Sequence, residues 1–472
     1  MSSASLSRAV AASLAVSAAL GLPSPARAGF LYGRLSPAGT EPNGASTSVD
    51  VSSNGRTVVF SSGATNWAPL GSDYNGNRIV AVDLDTGVVE VVSVPPSGPV
   101  FRGEAPAVSG DGRYVAFLTY STSYGPNWQV VRKDRQTGGL EVASATAAGQ
   151  PADAGTNDDT VSISADGRYV AFETASGNFG VPTSGYETFV KDMQTGQVRM
   201  VSVKSDGSPS GGGCEIEPHA LSDDGRFLTM ICSASMVPGA RTGQVYVRDL
   251  QSNTTELISR SATAASGSTA FAYRPAISPS GRFVSFQNRG YGGLGYANGV
   301  DSAGNSGVYL RDRQSGATIP LPRPATVPAA EYDSCAVSSV SSIGSVLLAC
   351  YYTADSAVGR VPQVFLSIPG EGAPVLLSTN AADQPGNGQS GYTLAVNASG
   401  LSMAWESAAS NIDPDDHNGK TDIFVLVDES VISDTIFAYG FETAPASRQP
   451  PAGRFQTVPV VPGTYGSGAA RD

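Results

Sequence analysis

Seven repeats of four short antiparallel strands, closed into an all-β propeller, are predicted by three features of this sequence. One turn phrase recurs seven times, and a second phrase follows most copies at a steady distance. Helical periodicity is hard to find in a chain with 55 glycines and 31 prolines.

The turn phrase is small-x-Asp-Gly-Arg followed by an apolar run. It reads Ser109-Gly-Asp111-Gly-Arg113-Tyr-Val-Ala-Phe117 and returns at Ser164–Phe172. Variants stand at Ser52–Phe60, Ser222–Leu228 and Ser278–Phe286, and weaker copies centre on Gly344 and Gly400. The turn glycines 55, 112, 167, 225, 281, 344 and 400 lie roughly 55 to 63 residues apart, which is the period of a repeat array rather than of separate domains. Asp-Gly and Asn-Gly favour the positive φ of tight hairpin turns. The Val, Ile, Phe and Tyr beside them suit a pleated, buried surface. Apolar residues at consecutive positions, as in Val115-Ala-Phe117, fit strands buried on both faces between stacked sheets.

The second phrase is Val131-Arg-Lys-Asp134-Arg-Gln-Thr137-Gly138, with counterparts at Val82–Gly87, Val190–Gly196, Val247–Asp249 and Leu310–Gly316. Each leads into a short β-rich run such as Val88–Ser93, so it supplies a third strand, a tight turn and a fourth strand. Asp134, Asp192, Asp249 and Asp312 are placed to cap the turn amides, and Arg113, Arg168, Arg226 and Arg282 to pair with nearby acids or carbonyls. Four-stranded antiparallel sheets repeated about an axis make a propeller, which leaves only short edges. The seventh repeat has a third strand, Ile423–Val427, but no clear fourth, while Phe30–Ser36 is an orphan strand. The N-terminal strand is therefore predicted to complete the last blade and close the ring. The expected organisation is a signal peptide over 1–28, a propeller over 29–430 and a tail over 431–472.

The leader reading rests on Arg8, the run Ala9–Leu22 and the small-x-small site Ala26-Arg27-Ala28. The run is short for a membrane span, which takes about 20 apolar residues, and no Cys follows it to carry lipid. A periplasmic or secreted protein is expected. The net charge of −12 becomes more negative once Arg8 and Arg27 are removed, which argues against nucleic acid as a partner. Four Cys in an exported chain imply two disulfides. Cys214 and Cys232 flank the Asp224-Gly225 turn nearly symmetrically, as Cys335 and Cys350 flank Ser342–Gly344. Pairs 214–232 and 335–350 follow, with bridges between blades as the alternative.

The two phrases resemble the repeats of TolB-like, WD-repeat-like propellers of exported bacterial proteins, over residues 30 to about 430. The resemblance implies a scaffold for protein contacts; some propellers instead bind sugars or carry lyase sites. The tail motif Asp434-Thr-Ile-Phe437-Ala-Tyr-Gly440-Phe441-Glu442 resembles a short Gly-Phe-Glu motif near the C-termini of exported Gram-negative proteins. The Pro-, Gly- and Ala-rich residues after it suggest disorder.

Propeller topology puts the Asp-Gly-Arg and Thr-Gly turns on one face. The long loops Ser61–Arg78, Thr174–Glu187, Gln287–Gly307 and Glu406–Asp422 fall on the other, where binding is expected. Aligning the repeats sets Thr47, Glu104, Asp159, Glu217, Tyr273, Asp333 and Tyr392 at one position near the channel mouth. The sharp reading is a ring for a cation or basic peptide; the bland one is loop acids that meet water. Asp413, Asp415, Asp416, Asn418 and Asp422, and less fully Asp73 and Asn75, offer clustered oxygens suited to calcium. Neither segment has the EF-hand spacing, and an Asx-Gly turn is the plainer reading.

Catalytic signatures are sparse. There is no Gly-x-Ser-x-Gly elbow, no His-Glu-x-x-His and no paired-Cys zinc spacing. Gly290-Tyr-Gly292-Gly-Leu-Gly295 has dinucleotide spacing but is not followed by a helical pattern. His219 beside Glu215 and Glu217 is the one group that a metal-dependent lyase would use. The leading expectation is a monomeric, non-catalytic binding or scaffold propeller for a protein or peptide; the alternative is a metal-dependent, lyase-like carbohydrate-active propeller.

Overall fold

The computed structural model describes residues 30–37, 40–67, 76–95, 99–181, 185–260, 268, 271–289, 307–324, 335–352, 361–428 and 430–432. The predicted leader, the C-terminal tail motif and the glycine-rich 290–295 segment lie outside the described residues. The strands form seven four-stranded sheets, every pairing antiparallel. Among the described residues there is no helix, and so none long and apolar enough to cross a membrane.

Strand β1 (Phe30–Arg34) stands apart in sequence. Blade 1 is β2 (Ser46–Val51), β3 (Thr57–Ser62), β4 (Arg78–Asp83) and β5 (Val89–Val91). Blade 2 is β6 (Glu104–Val108), β7 (Tyr114–Thr119), β8 (Gln129–Asp134) and β9 (Leu140–Val142). Blade 3 is β10 (Thr156–Ile163), β11 (Tyr169–Thr174), β12 (Glu187–Asp192) and β13 (Val198–Met200). Blade 4 is β14 (Cys214–Glu215), β15 (Phe227–Cys232), β16 (Gln244–Asp249) and β17 (Thr254–Leu257). Blade 5 is β18 (Phe271–Ile277), β19 (Phe283–Arg289), β20 (Gly307–Asp312) and β21 (Ala317–Pro320). Blade 6 is β22 (Cys335–Val340), β23 (Val346–Tyr352), β24 (Val361–Ser367) and β25 (Val375–Leu376). Blade 7 is β26 (Ser390–Val396), β27 (Ser402–Ser407) and β28 (Asp422–Asp428), and β1 pairs with β28 from Phe30↔Asp428 to Arg34↔Phe424. Strand β1 thus completes the last blade, as its sequence implied.

Each blade packs both faces against neighbours, so its middle strands are buried at successive positions. Val58, Val59 and Phe60 are all fully buried, and so are Val115, Ala116 and Phe117. The turn phrase serves this stacking. Ser109 Oγ donates to Asp111 Oδ1 (2.8 Å), and that oxygen also accepts the Arg113 amide (2.9 Å). The turn glycine has positive φ in all seven copies, from 67° to 89°. It is needed for room as well: a Cβ on Gly167 would strike the Tyr114 ring, and one on Gly225 the Tyr169 ring. Tyr114, Tyr169 and Phe227 thus each lie on the turn glycine of the next blade, and Thr57 does so on Gly112.

The repeated Arg and Asp meet within each blade. Arg113 holds Asp134 by two bonds (3.1 and 2.7 Å), and Arg168–Asp192, Arg226–Asp249 and Arg282–Asp312 repeat the pairing. Asp134 Oδ1 also accepts the Gln136 and Thr137 amides, which is the cap expected of it. Arg113 keeps Asp134 well below the usual carboxylate range, with the turn amides adding to the effect. The pairs are partly solvated, so each secures the blade edge modestly.

Both disulfides join directly opposed residues, Cys214↔Cys232 across β14 and β15 and Cys335↔Cys350 across β22 and β23. The first clamps a strand of two residues, because Pro218 and the positive φ of His219 (61°) interrupt the ladder until Leu221 rejoins it.

Candidate functional site

The innermost strands β2, β6, β10, β18 and β26 each slip register partway along their ladders. Ser48, Ala105 and Arg274 occupy the same bulge position with φ between 47° and 54°. A bulge re-aims the side chains around it, which changes what faces the axis. Of the residues aligned at the channel mouth, Glu217 and Tyr392 line the central cavity of about 270 Å³. Glu104 and Tyr273 do not; Glu104 is held by Arg102 (Nε–Oε1 2.7 Å). The Asp159 side chain and Asp333 lie outside the described residues. Blade 6 moreover aligns three residues differently. The Gly344 amide bonds Ser341 O as Gly112 bonds Ser109 O, so Ala336, not Asp333, matches Glu104. Of the predicted ring's four acids, Glu217 lines the cavity and Glu104 does not, while Asp159 and Asp333 fall outside the described side chains. Ser48, Ala105, Thr160, Arg274 and Thr393, one residue further on, line the cavity too.

The turn end of the channel is drawn together by backbone bonds from blade to blade. Asn54 N donates to Gly110 O, Gly110 N to Ala165 O, Ala165 N to Asp223 O and Asp223 N to Pro279 O. Ser342 N to Ala398 O and Ala398 N to Ser53 O carry the circuit back to blade 1. Inner-strand amides that have no ladder partner are met in the same way. Val108 N donates to Asp50 Oδ2 (2.8 Å), Leu221 N to Ser162 Oγ (3.0 Å) and Val396 N to Ser339 Oγ (3.0 Å). Buried amides need such partners.

Two bonds cross the axis from blade 1 to blade 4. His219 Nε2 lies 2.9 Å from Asp50 Oδ1, and Ser53 Oγ donates to Asp223 Oδ1 (2.8 Å). Burial pushes Asp223 above the usual carboxylate range despite that bond. These bonds narrow the channel at the turn face. Glu215, expected beside His219, is exposed and is not part of the cavity wall. The sequence reading missed Asp50 and Asp223; no motif marks a contact between residues 169 positions apart.

Glu406 was not singled out either. It is 4 % exposed, at the top of β27, and its Oε2 accepts the Ser48 amide of the next blade at 3.2 Å. Burial raises it to about 7, against hydrogen bonds from Ser48 and Thr393 that favour the charge. Glu173 plays the same part between blades 3 and 4, accepting from Ile216 N.

The long-loop face carries exposed aromatic rings. Tyr120, Tyr186, Phe271 and Tyr392 are 46–76 % exposed, and each stands at the long-loop end of a strand. Tyr120 leans on Trp128 (5.7 Å between centroids), and the Arg102 guanidinium covers Trp128 at 4.7 Å. Among the described residues Arg274 has no hydrogen-bond or ion-pair partner, and it lines the cavity, as Tyr392 does.

The acids expected to suit calcium are gathered at the ring's seam. Asp413, Asp416 and Asp422 surround Arg34 of β1, joined by Glu41. Arg34 Nε pairs with Asp413 (2.8 Å), Nη1 with Glu41 (2.9 Å) and Asp422 (3.0 Å), and Nη2 donates to the Asp415 carbonyl (3.0 Å). Asn418 donates to Asp422 Oδ2 and to Pro42 O. Burial opposes the Arg34 charge, but Glu41 and Asp422 outweigh it and raise its pKa. Burial lifts Asp422 to about 6 even beside Arg34. Asp73 and Asn75 lie outside the described residues.

No family model and no curated protein matches this sequence. Among solved structures the chain is similar to the β-propeller domain of the Trilobed protease from Pyrococcus furiosus. That match has 11 % identity and a TM-score of 0.46, and covers 77 % of this chain and 89 % of the other. It is similar also to oligogalacturonate lyase from Vibrio parahaemolyticus, with 11 % identity, a TM-score of 0.49, and 84 % and 96 % covered. TolB from Acinetobacter baumannii matches at 17 % identity and a TM-score of 0.35, with 63 % and 61 % covered. These neighbours include binding proteins and enzymes alike, so they carry no functional argument, and the strand pairing itself makes this chain a seven-bladed, four-stranded antiparallel β-propeller.

Proposed function

We propose that this protein is an exported, non-catalytic binding propeller that takes a peptide segment of a partner protein at the mouth of its central cavity. The observation that carries this reading is the contrast between the two ends of the channel. At the narrow end the polar side chains are engaged with one another, His219 with Asp50 and Ser53 with Asp223. At the open end Tyr392 is exposed, and Arg274 has no partner among the described residues. Exposed aromatics and an available Arg are the side chains that anchor protein interfaces. A peptide bearing a carboxylate for Arg274 and an apolar or aromatic residue for Tyr392 fits that pair. Two disulfides support a location outside the reducing cytoplasm.

Panning a displayed peptide library against the mature protein tests the reading. Enriched peptides should carry an acid beside an apolar residue, and Arg274→Ala with Tyr392→Ala should weaken the best of them at least tenfold. Peptides that bind the double variant equally well would refute the site. Cleavage of acidic polysaccharides by wild type, lost on His219→Ala, would replace binding with the lyase alternative.

A further inference from the structure

We infer that the seam where the ring closes binds one calcium ion, held by Glu41, Asp416 and Asp422 beside Arg34. Carboxylate oxygens of these three residues all lie within 4.8 Å of one another. Oxygens that share one calcium at about 2.4 Å can be no farther apart than that. Three buried oxygens there, Asp416 Oδ1, Asp416 Oδ2 and Asp422 Oδ1, accept no hydrogen bond. Asp416 is 6 % exposed and Asp422 fully buried. A buried carboxylate without donors is costly unless a charge stands opposite it.

Arg34 meets Asp416 by charge alone and gives it no hydrogen bond. Its Nη1 already serves Glu41 and Asp422, and it is 3.7 Å from Asp416 Oδ1, beyond a hydrogen bond. Four carboxylates, Glu41, Asp413, Asp416 and Asp422, thus surround one guanidinium. The unmet ligands are all oxygens, the donor type of a hard cation. His417 takes part through its backbone amide, which bonds Glu41 at 2.6 Å. Calcium accepts six to eight oxygens in irregular geometry and shares its sphere with water, whereas magnesium demands a near-octahedral set. Glu41 follows β1 and Asp416 precedes β28, the strands that pair where the ring closes, so the ion joins the two sides of the seam.

The test uses the whole mature chain, stripped with a chelator and dialysed against radioactive calcium at neutral pH and physiological salt. One ion per chain should bind, and saturating calcium should raise Tm by roughly 3–6 °C. Asp416→Asn, nearly isosteric, should reduce calcium affinity at least tenfold and abolish the rise. Glu41→Gln, at the more exposed side of the cluster, should weaken binding as well and serves as the second variant if the first does not fold. Less than a tenth of an ion per chain, or equal binding by both variants, would overturn the inference. So would a metal-independent rise in Tm on Asp416→Asn in a chain that binds no calcium, since a proton would then be what neutralises the cluster.

Discussion

Replacing Glu406 by Gln should stabilise the propeller at alkaline pH and leave it nearly unchanged at acid pH. Glu406 is buried between blades 7 and 1, and burial holds it at about 7 rather than its ordinary 4.5. Between those values the folded protein keeps a proton that the unfolded chain releases. Stability contributed by the neutral carboxyl is therefore complete below about pH 4.5 and is lost as pH rises through about 7. At about 1.4 kcal/mol per pH unit, the interval from 4.5 to about 7 corresponds to about 3 kcal/mol. Gln keeps an oxygen for the Ser48 amide, now 3.2 Å from Oε2, and carries no charge to bury. Thermal unfolding of wild type and Glu406→Gln at pH 5 and pH 8 reads the difference directly. Asp422, Asp416 and Asp223 are also raised by burial, but their contribution is common to both chains and cancels. A gap between the two chains that is the same at both pH values would refute the reasoning.

Three further outcomes follow from the packing. Reducing either cross-strand disulfide, by Cys214→Ser with Cys232→Ser or by the 335–350 pair, should cost about 3 kcal/mol, since loops of 18 and 15 residues are released; denaturant melts of oxidised and variant protein measure it. Gly167→Ala should destabilise by more than about 1 kcal/mol, because φ is +71° and the new Cβ meets the Tyr114 ring; Gly138→Ala, with positive φ but nothing within 4 Å, should cost less, and equal losses would remove the steric argument. Arg34→Ala, measured in chelator, should cost on the order of 3–5 kcal/mol by leaving buried acids without their cation, and protease should then cut first near the N-terminal strand.

Much of this architecture is legible in the sequence alone. The seven turn glycines and the apolar runs after them specify the blade because a tight turn and a doubly buried strand are local demands, written within about ten residues each. The orphan strand at Phe30 and the missing fourth strand of the last repeat told of ring closure by subtraction. The disulfides were readable because cross-strand partners sit symmetrically about a short turn.

The site was less legible, and the reason is physical. A repeat alignment assumes strict alternation along the inner strand, whereas a bulge with positive φ at Ser48, Ala105 and Arg274 turns the next residue to the axis. No residue type in the repeat phrases marks these bulges in advance: Ser, Ala and Arg occupy the same position. The pairs Asp50–His219 and Ser53–Asp223 join blades 1 and 4, and Arg34 meets Asp422 across 388 residues. The cluster at 413–422 was visible as a run of acids, but that its centre is a guanidinium from the other end of the chain was not. Sequence by itself determined the blade, its number and the way the ring closes, since these rest on local turn and strand chemistry repeated seven times. Tertiary structure alone decided which side chains meet across the axis and at the seam, because those contacts exist only once the ring has closed.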